Sequence, residues 1–333
     1  MQALILTELH KLLSCNVIGE KQYEARYKGF YGELDFLRTF ADAKRSGRLI
    51  SEATLRNGGY FLPTIDTTDN SLESSCYVTI SSSKPGPHYL NIYQQLSRLS
   101  EKLYFIEYSN STSITDWPLS DIMKNGVPCK TPELTVYHYD KNTGSFEISS
   151  IKNLTSLFDG MKFRERKQKV ISDTTRSFYS EKLKSFDEEI LLDLYVERFV
   201  FDGLIKFLHV KRSDIDAISI KPDGKIAFIE IKEKDKSKTP PEGFGMDEHR
   251  IEAINRLRLE CGVDYNYIIR EIADQKSREL IAWRSISMDR FTAIVSKSPS
   301  IEGGHGMRSQ NTSNPTRICP SGNFSTIESF NNS

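Results

Sequence analysis

The sequence predicts an α/β (α+β) protein in which helices flank a mixed β-sheet, with a second α+β domain at the N-terminal end. Segments with a helical period of apolar residues alternate with short β-prone runs between turn residues. A hairpin pattern lies in SDIDAISIKPDGKIAFIEIKEKDK, residues 213–236, and the 333-residue chain exceeds one average domain. We therefore expect an N-terminal domain over 1–160 and a second domain over 161–297.

Composition limits the classes of function. Basic and acidic residues number 45 each, so a nucleic-acid partner cannot be inferred from net charge and needs local features. The five cysteines show no metal-binding or disulfide spacing, which favours a reducing, cytoplasmic environment. The first residues predict an amphipathic helix, not a signal peptide, and no apolar run is long enough for a membrane span.

The N-terminal half reads as helices followed by short strands. Residues 1–50 have a helical pattern, with Gly29, Gly32 and Gly47 as interruptions. Four runs then predict strands: GYFLP, CYVTI, KLYFIEY and LTVYHYD. A helix-like segment, YLNIYQQLSRLSEKL, separates the second strand from the third. This order predicts the N-terminal α+β domain, which we expect to serve substrate recognition or oligomerisation.

The C-terminal half begins with a helix over residues 186–208, followed by the hairpin. A loop, SKTPPEGFG, precedes a second helix over residues 246–260. YNYIIREI and LIAWRSI predict two more strands, and SMDRFTAIVSK predicts a short helix. Residues 298–333 are rich in Ser, Asn, Gly and Pro, which predicts a disordered tail.

The hairpin carries charged residues where a buried sheet would carry apolar ones. Alternate strand residues share a face, which groups Asp214 with Asp216 on one strand and Glu230 with Lys232 on the other. The Pro-Asp-Gly turn favours antiparallel pairing, although the sequence leaves the register open. One alternative is an ordinary edge hairpin with solvated charges, which protect an edge against aggregation.

The preceding helix adds one more carboxylate. Its apolar stripe contains Ile190, Leu194, Phe201, Leu204 and Leu208, and Glu197 stands at the stripe's missing position. A carboxylate on an apolar helix face is costly unless a cation or hydrogen bonds satisfy it. We therefore include Glu197 with the hairpin residues in the candidate site.

Grouped carboxylates favour a hard divalent cation, because the cation cancels their mutual repulsion. Oxygen ligands alone indicate Mg²⁺ first, with Mn²⁺ as a substitute. Such an ion can polarise a phosphodiester and lower the pKa of bound water, and a neighbouring lysine can stabilise the developing charge. The hairpin is therefore a candidate site for phosphodiester hydrolysis.

Asp216, followed by Glu230-Ile231-Lys232 on the next strand, resembles the PD-(D/E)xK motif of the restriction-endonuclease-like nuclease superfamily. The resemblance covers about residues 186–283, and Ile215 stands where the motif's name has proline. It implies a mixed sheet flanked by helices and a catalytic Mg²⁺. It also implies that Asp216 and Glu230 ligate the metal and that Lys232 is the catalytic lysine.

The resemblance further implies that Glu197 supports the metal or its water. Asp214 remains an alternative to Asp216 because both share a face. Two other basic groups, the lysines at 234, 236 and 238 and the pair His249-Arg250, are interpreted as solvated surface, with phosphate contact as the alternative.

The function that these features favour is a metal-dependent endonuclease acting on DNA, of restriction or phage-defence type. DNA rather than RNA follows from the resemblance alone. The alternatives are a catalytically inactive, nuclease-derived nucleic-acid-binding module and an RNA-cleaving effector. The expected partner is nucleic acid, without a membrane, and a homodimer is left open.

Overall fold

The structure, a computed structural model, divides the chain into two compact units. It describes residues 1–15, 17–49, 52–63, 75–100, 102–120, 127–150, 157, 167–205, 213–238, 240–302 and 315–331. Unit 1 comprises Met1–Tyr27 and Gly59–Ser213, and unit 2 comprises Lys28–Gly58 and Asp214–Ser333.

This division differs from the predicted domains 1–160 and 161–297. The helix at residues 173–183 and the helix at residues 188–203 belong to unit 1, whereas residues 28–58 belong to unit 2. Composition could not reveal this, because a segment's tertiary partners leave no mark on its own residue content. Residue 160 itself lies outside the described residues.

Unit 1 contains a mixed sheet with helices. Its elements are α1 (Gln2–Ser14), the start of α2 (Glu20–Arg45), the end of β1 (Thr54–Pro63), β2 (Ser75–Ser81), α3 (Pro87–Leu96), β3 (Lys102–Tyr108), β4 (Leu119–Ser120), β5 (Cys129–Lys130), β6 (Leu134–Asp140), β7 (Ser145–Ile148), α4 (Asp173–Leu183) and α5 (Glu188–Gly203). Strands β2 and β3 pair in parallel, and the pairs β1–β2, β3–β6 and β6–β7 are antiparallel. The four predicted N-terminal strands are confirmed.

Unit 2 contains the rest of α2 and β1 together with the C-terminal elements. These are β8 (Ser213–Ile220), β9 (Ile226–Lys234), β10 (Gly243–Asp247), α6 (Glu248–Cys261), β11 (Asp264–Ile272), β12 (Leu280–Ser287), α7 (Met288–Val295), β13 (Ile301–Glu302), β14 (Pro315–Pro320), β15 (Ser325–Thr326) and α8 (Glu328–Asn331). The hairpin and the later strands and helices are confirmed, while β10 forms where the loop was expected to continue.

The main sheet of unit 2 has the order β15-β12-β11-β9-β8, with the first half of β1 beside β8. β8 and β9 are antiparallel, β9 and β11 are parallel, and β11 and β12 are antiparallel. The parallel pair requires a crossover, which α6 provides. The mixed sheet flanked by helices is therefore confirmed at this coarse level.

Each face of this sheet has its own cover. Residues from α2 and α8 form a buried core with one face, and α6 and α7 contact β11. The core residues are Phe36, Ala43, Ala217, Ile229, Ile231, Ile268, Trp283 and Phe330. Because strand residues alternate, Asp216, Glu230 and Lys232 lie on the face opposite this core.

The expected role of two glycines needs correction. Gly29 and Gly32 do not interrupt the helix, since both lie within α2. The helix continues through both glycines despite their penalty, because neighbouring residues such as Phe30 are buried. A Cβ atom added at Gly32 would lie 3.8 Å from Cβ of Glu233 on β9, an ordinary contact. Gly47 does end this segment, with a φ of 72°.

The tail predicted to be disordered contains ordered elements. β14 pairs with β10, β15 pairs with β12, and Phe330 of α8 is buried in the core. The segment has few apolar residues, but Ile318, Cys319, Phe324 and Phe330 are buried, and β10 and β12 pair with its strands. Residues 303–314 lie outside the described part. Among the described helices, none has the length and apolar character needed to cross a membrane.

Candidate active site

A tight turn fixes the register of the β8–β9 hairpin. The amide of Lys221 donates to the carbonyl of Lys225 over 2.8 Å, and Gly224 has a φ of 81°, which favours glycine. Ala217 lies opposite Ile229, so the next residues outward, Asp216 and Glu230, are neighbours across the strands. The register that the sequence left open therefore brings these two carboxylates to one face.

Asp216 is held at the surface of the sheet by a main-chain donor. Its Oδ2 accepts a 2.7 Å hydrogen bond from the amide of Ile231 and a 3.0 Å bond from Nζ of Lys232. Only 3% of the side chain is exposed. The carboxylate oxygen is therefore fixed relative to β9 by the backbone itself.

Glu230 and Asp216 converge on the same ammonium group. Nζ of Lys232 lies 2.9 Å from Oε1 of Glu230 and 3.0 Å from Oδ2 of Asp216. The Glu230 side chain is 1% exposed, whereas that of Lys232 is 40% exposed. Two buried carboxylates thus meet at one ammonium group, which belongs to a side chain that is partly exposed.

Arg250 is the main site residue that the sequence interpretation placed on the surface. From α6, its Nε donates to Oε1 of Glu230 over 3.1 Å, and its Nη2 donates to Oε2. The same Nη2 donates to the main-chain carbonyl of Asp214 over 2.9 Å. One guanidinium group therefore connects α6 to both strands of the hairpin. The only sequence signal was its position at the start of the predicted helix, where phosphate contact was the alternative interpretation.

Asp214 occupies a different position from Asp216. Its Oδ1 lies 3.0 Å from Nη2 of Arg250, and its side chain is 40% exposed. Asp216 is the aspartate whose carboxylate meets Glu230 at Lys232. The geometry therefore favours Asp216 over Asp214 as the partner of Glu230.

The protonation of the two central carboxylates differs. Burial raises the pKa of Asp216 to about 7, with Glu230 and Asp214 adding repulsion and Lys232 opposing it. Burial alone would also raise the pKa of Glu230, but Arg250 and Lys232 outweigh that effect and lower it. Glu230 therefore stays ionised at neutral pH, while Asp216 exchanges a proton close to neutrality.

Tyr265 places a buried hydroxyl near this charge cluster. The residue is 2% exposed, and its hydroxyl makes no hydrogen bond with any described residue. Burial first, and the charge of Glu230 next, raise the pKa of the phenol well above its usual value. Tyr265 is thus a neutral donor on the strand beside β9, and no sequence pattern had indicated it.

Glu197 belongs to unit 1 and is satisfied there. Its Oε1 accepts hydrogen bonds from the hydroxyl of Tyr60 and from Nη2 of Arg198. The ring of Tyr60 stacks on Phe201 with centroids 3.9 Å apart. The need for a partner was correctly inferred from the helix stripe, and unit 1 itself supplies that partner. Leu208, the last residue of the stripe, lies outside the described residues.

The carboxylates that meet at Lys232 meet the needs of a metal site with few protein ligands. Within the described ranges, no group of three or more His, Cys, Asp or Glu side chains is arranged to hold a metal ion. Mg²⁺ typically takes one or two protein carboxylates and completes its shell with water and substrate oxygens. The two converging carboxylates of Asp216 and Glu230 fit that smaller requirement, with Lys232 now neutralising the point where they meet.

Comparison of the chain with protein-family models, with curated proteins and with solved structures produced no match.

Proposed function

We propose that unit 2 carries the active site of a metal-dependent endonuclease that hydrolyses DNA phosphodiester bonds, of restriction or phage-defence type. The observation that carries this proposal is the convergence of the Asp216 and Glu230 carboxylates on the ammonium of Lys232. The mixed sheet with helices on both faces agrees with the restriction-endonuclease-like core that the motif implies.

Each residue has a role that follows from its surroundings. Asp216 and Glu230 would hold Mg²⁺, or Mn²⁺ in its place, which when bound polarises the phosphate and lowers the pKa of water. The ammonium of Lys232, whose side chain is 40% exposed, donates to the attacking water or to the charge that develops on phosphate. Arg250 keeps the carboxylate of Glu230 in one orientation. Glu197 is not needed for these roles.

The experiment is incubation of supercoiled plasmid DNA, and separately of RNA, with the wild-type protein and a Lys232→Ala variant. We expect the wild type to cut DNA with Mg²⁺ and EDTA to abolish the cutting. The cutting rate of the variant should be lower by about 100-fold or more, the usual cost of removing a donor to the transition state. Lys225→Ala is the matched control, since this lysine lies in the turn of the same hairpin with 73% of its side chain exposed. If neither nucleic acid is cut with any divalent ion, the nuclease proposal fails.

One observation favours a second candidate, a nuclease-derived module that binds nucleic acid without cleaving it. Both oxygens of Glu230 already receive hydrogen bonds from Arg250, so a metal ion has to share this carboxylate with a guanidinium group. Retained binding of DNA, with no cutting by the wild type, would favour this candidate. Cutting of RNA alone would instead indicate an RNA-cleaving effector.

A further inference from the structure

Lys234 follows Lys232 on the same face of β9, one step further from the hairpin turn. Alternate residues of a strand are about 7 Å apart and point to the same side. Lys234 is partly buried and belongs to the last position of the strand. A second cation therefore extends the candidate active site in one direction along the sheet.

The lysines near this end of β9 differ in their partners. Lys232 contacts two carboxylates, and Lys236 lies 3.2 Å from Glu242 and 3.5 Å from Glu271. Lys234, between them, makes no ion pair or hydrogen bond with any described residue. Within the described part of unit 2, Lys234 thus has no ion-pair partner, whereas Lys232 and Lys236 each have two.

The acid beside Lys234 in the sheet is already used. Glu271 on β11 is its partner in the parallel register. The carboxylate of Glu271, however, accepts from Nε of Arg284 and also faces Lys236. Neither charge leaves Glu271 available to neutralise Lys234.

The surroundings of Lys234 also disfavour its charged form. Burial lowers the pKa of Lys234 most, and the charge of Lys232 lowers it further. Asp247 first, and then Glu230 and Asp235, offset only part of this effect. Asp247 also accepts a 3.1 Å hydrogen bond from the hydroxyl of Thr316. A bound anion would therefore gain more at Lys234 than at either neighbouring lysine.

We propose that Lys234 binds a backbone phosphate of the nucleic acid, next to the phosphate that is cleaved at Lys232. The inference rests on the proposed nuclease function and deepens it by giving the bound strand a path along β9. The separation of alternate strand residues is of the order of the distance between neighbouring phosphates on one nucleic-acid strand. Phosphate contacts position the duplex and carry no sequence preference.

The test is binding without cleavage, measured by fluorescence anisotropy of a short labelled DNA duplex in EDTA. Wild type is compared with Lys234→Gln and Lys234→Arg over salt concentrations from about 50 to about 200 mM. Loss of one phosphate contact should reduce the slope of log affinity against log salt by about 0.9. We expect this reduction for Lys234→Gln, and a slope like that of wild type for Lys234→Arg, which keeps the charge.

Two controls separate this result from a folding defect and from loss of general charge. Lys225→Gln removes an exposed charge at the turn of the same hairpin and should leave the slope unchanged. The arginine variant shows whether the position tolerates a side chain of similar length. An unchanged slope in Lys234→Gln, with wild type binding and cutting DNA, would overturn the subsite and leave the nuclease function standing. Wild type that neither binds nor cuts would remove both.

Discussion

The guanidinium group of Arg250 and the carboxylate of Glu230 form a two-pronged ion pair between α6 and β9. Nε donates over 3.1 Å to Oε1, Nη2 donates to Oε2, and the glutamate is 1% exposed. Two parallel hydrogen bonds fix both the position and the plane of the carboxylate. The orientation of Glu230 therefore depends on a residue from the helix that connects two parallel strands.

We expect Arg250→Met to destabilise unit 2 by about 3–5 kcal/mol, because the change leaves Glu230 as a buried charge with one partner fewer. Arg256→Met on the same helix is the control. Arg256 is 39% exposed and pairs with Glu260 one turn away, so its loss should cost less than about 1 kcal/mol. Urea unfolding can be followed through Trp283, which is buried in unit 2, in a Trp117→Phe background that removes the other tryptophan.

A double variant, Arg250→Met with Glu230→Gln, tests the stated cause. It should recover part of the lost stability, because the neutral amide does not need the guanidinium charge. Equal stability of the single and double variants would contradict an uncompensated charge as the reason.

The hairpin residues of this site could be predicted from sequence, but Arg250 could not. Strand alternation groups Asp214 with Asp216 and Glu230 with Lys232, and the Pro-Asp-Gly turn favours antiparallel pairing. The register that brings Asp216 to the same face as Glu230 and Lys232 is visible only in the structure. The approach of α6 to that face depends on how a helix packs on a sheet. No spacing within residues 248–261 records that packing, so Arg250 looked like a surface residue.

Glu197 shows a second limit of prediction from sequence. The apolar stripe correctly indicated that this carboxylate needs a partner, yet it could not identify Tyr60, which is far away in sequence. Arg198, the second partner, is itself buried. A helix that is buried on several sides gives a polar position no single direction, so periodicity alone could not assign Glu197 to the hairpin.

Binding of Mg²⁺ should strengthen as the pH rises through about 7. A raised carboxyl pKa means that the folded protein keeps the proton of Asp216 up to near-neutral pH, and the metal requires the ionised form. Titration calorimetry at pH 6 and pH 8 measures the difference. Asp216→Asn should remove most of the affinity at both pH values, and equal wild-type affinity at pH 6 and 8 would contradict the assignment.

The raised pKa of Asp216 also makes the stability of the metal-free protein depend on pH. Because the folded-state pKa of Asp216 lies above the unfolded value of 3.8, its contribution is fully present below about pH 4 and is lost as the pH rises through about 7. The free energy of unfolding of Asp216→Asn, minus that of wild type, should therefore be larger at pH 8 than at pH 5. Urea unfolding in EDTA at these two pH values provides the comparison.

Gly58→Ala should displace β8 and weaken the site. A Cβ atom at this position of β1 would lie 1.7 Å from the carbonyl oxygen of Ile215, so the two backbones would have to separate. We expect a loss of about 1–3 kcal/mol, typical of forced overpacking, together with reduced nuclease activity because Asp216 follows Ile215. Gly29→Ala is the matched control in the same unit. It meets no atom within 4 Å, lies in a helix, and should stabilise by about 0.5–1 kcal/mol.

The ordered part of the C-terminal segment can be tested at Phe330. This residue is 3% exposed, and its ring lies 5.7 Å from that of Phe36 and 6.3 Å from that of Trp283. Phe330→Ala should cost about 3–5 kcal/mol, as expected for a buried phenylalanine. It should also shift the emission of Trp283 to longer wavelength, since water gains access to the indole ring. Ile281→Ala serves as control: 54% of Ile281 is exposed on β12, and its loss should change stability by less than about 0.5 kcal/mol.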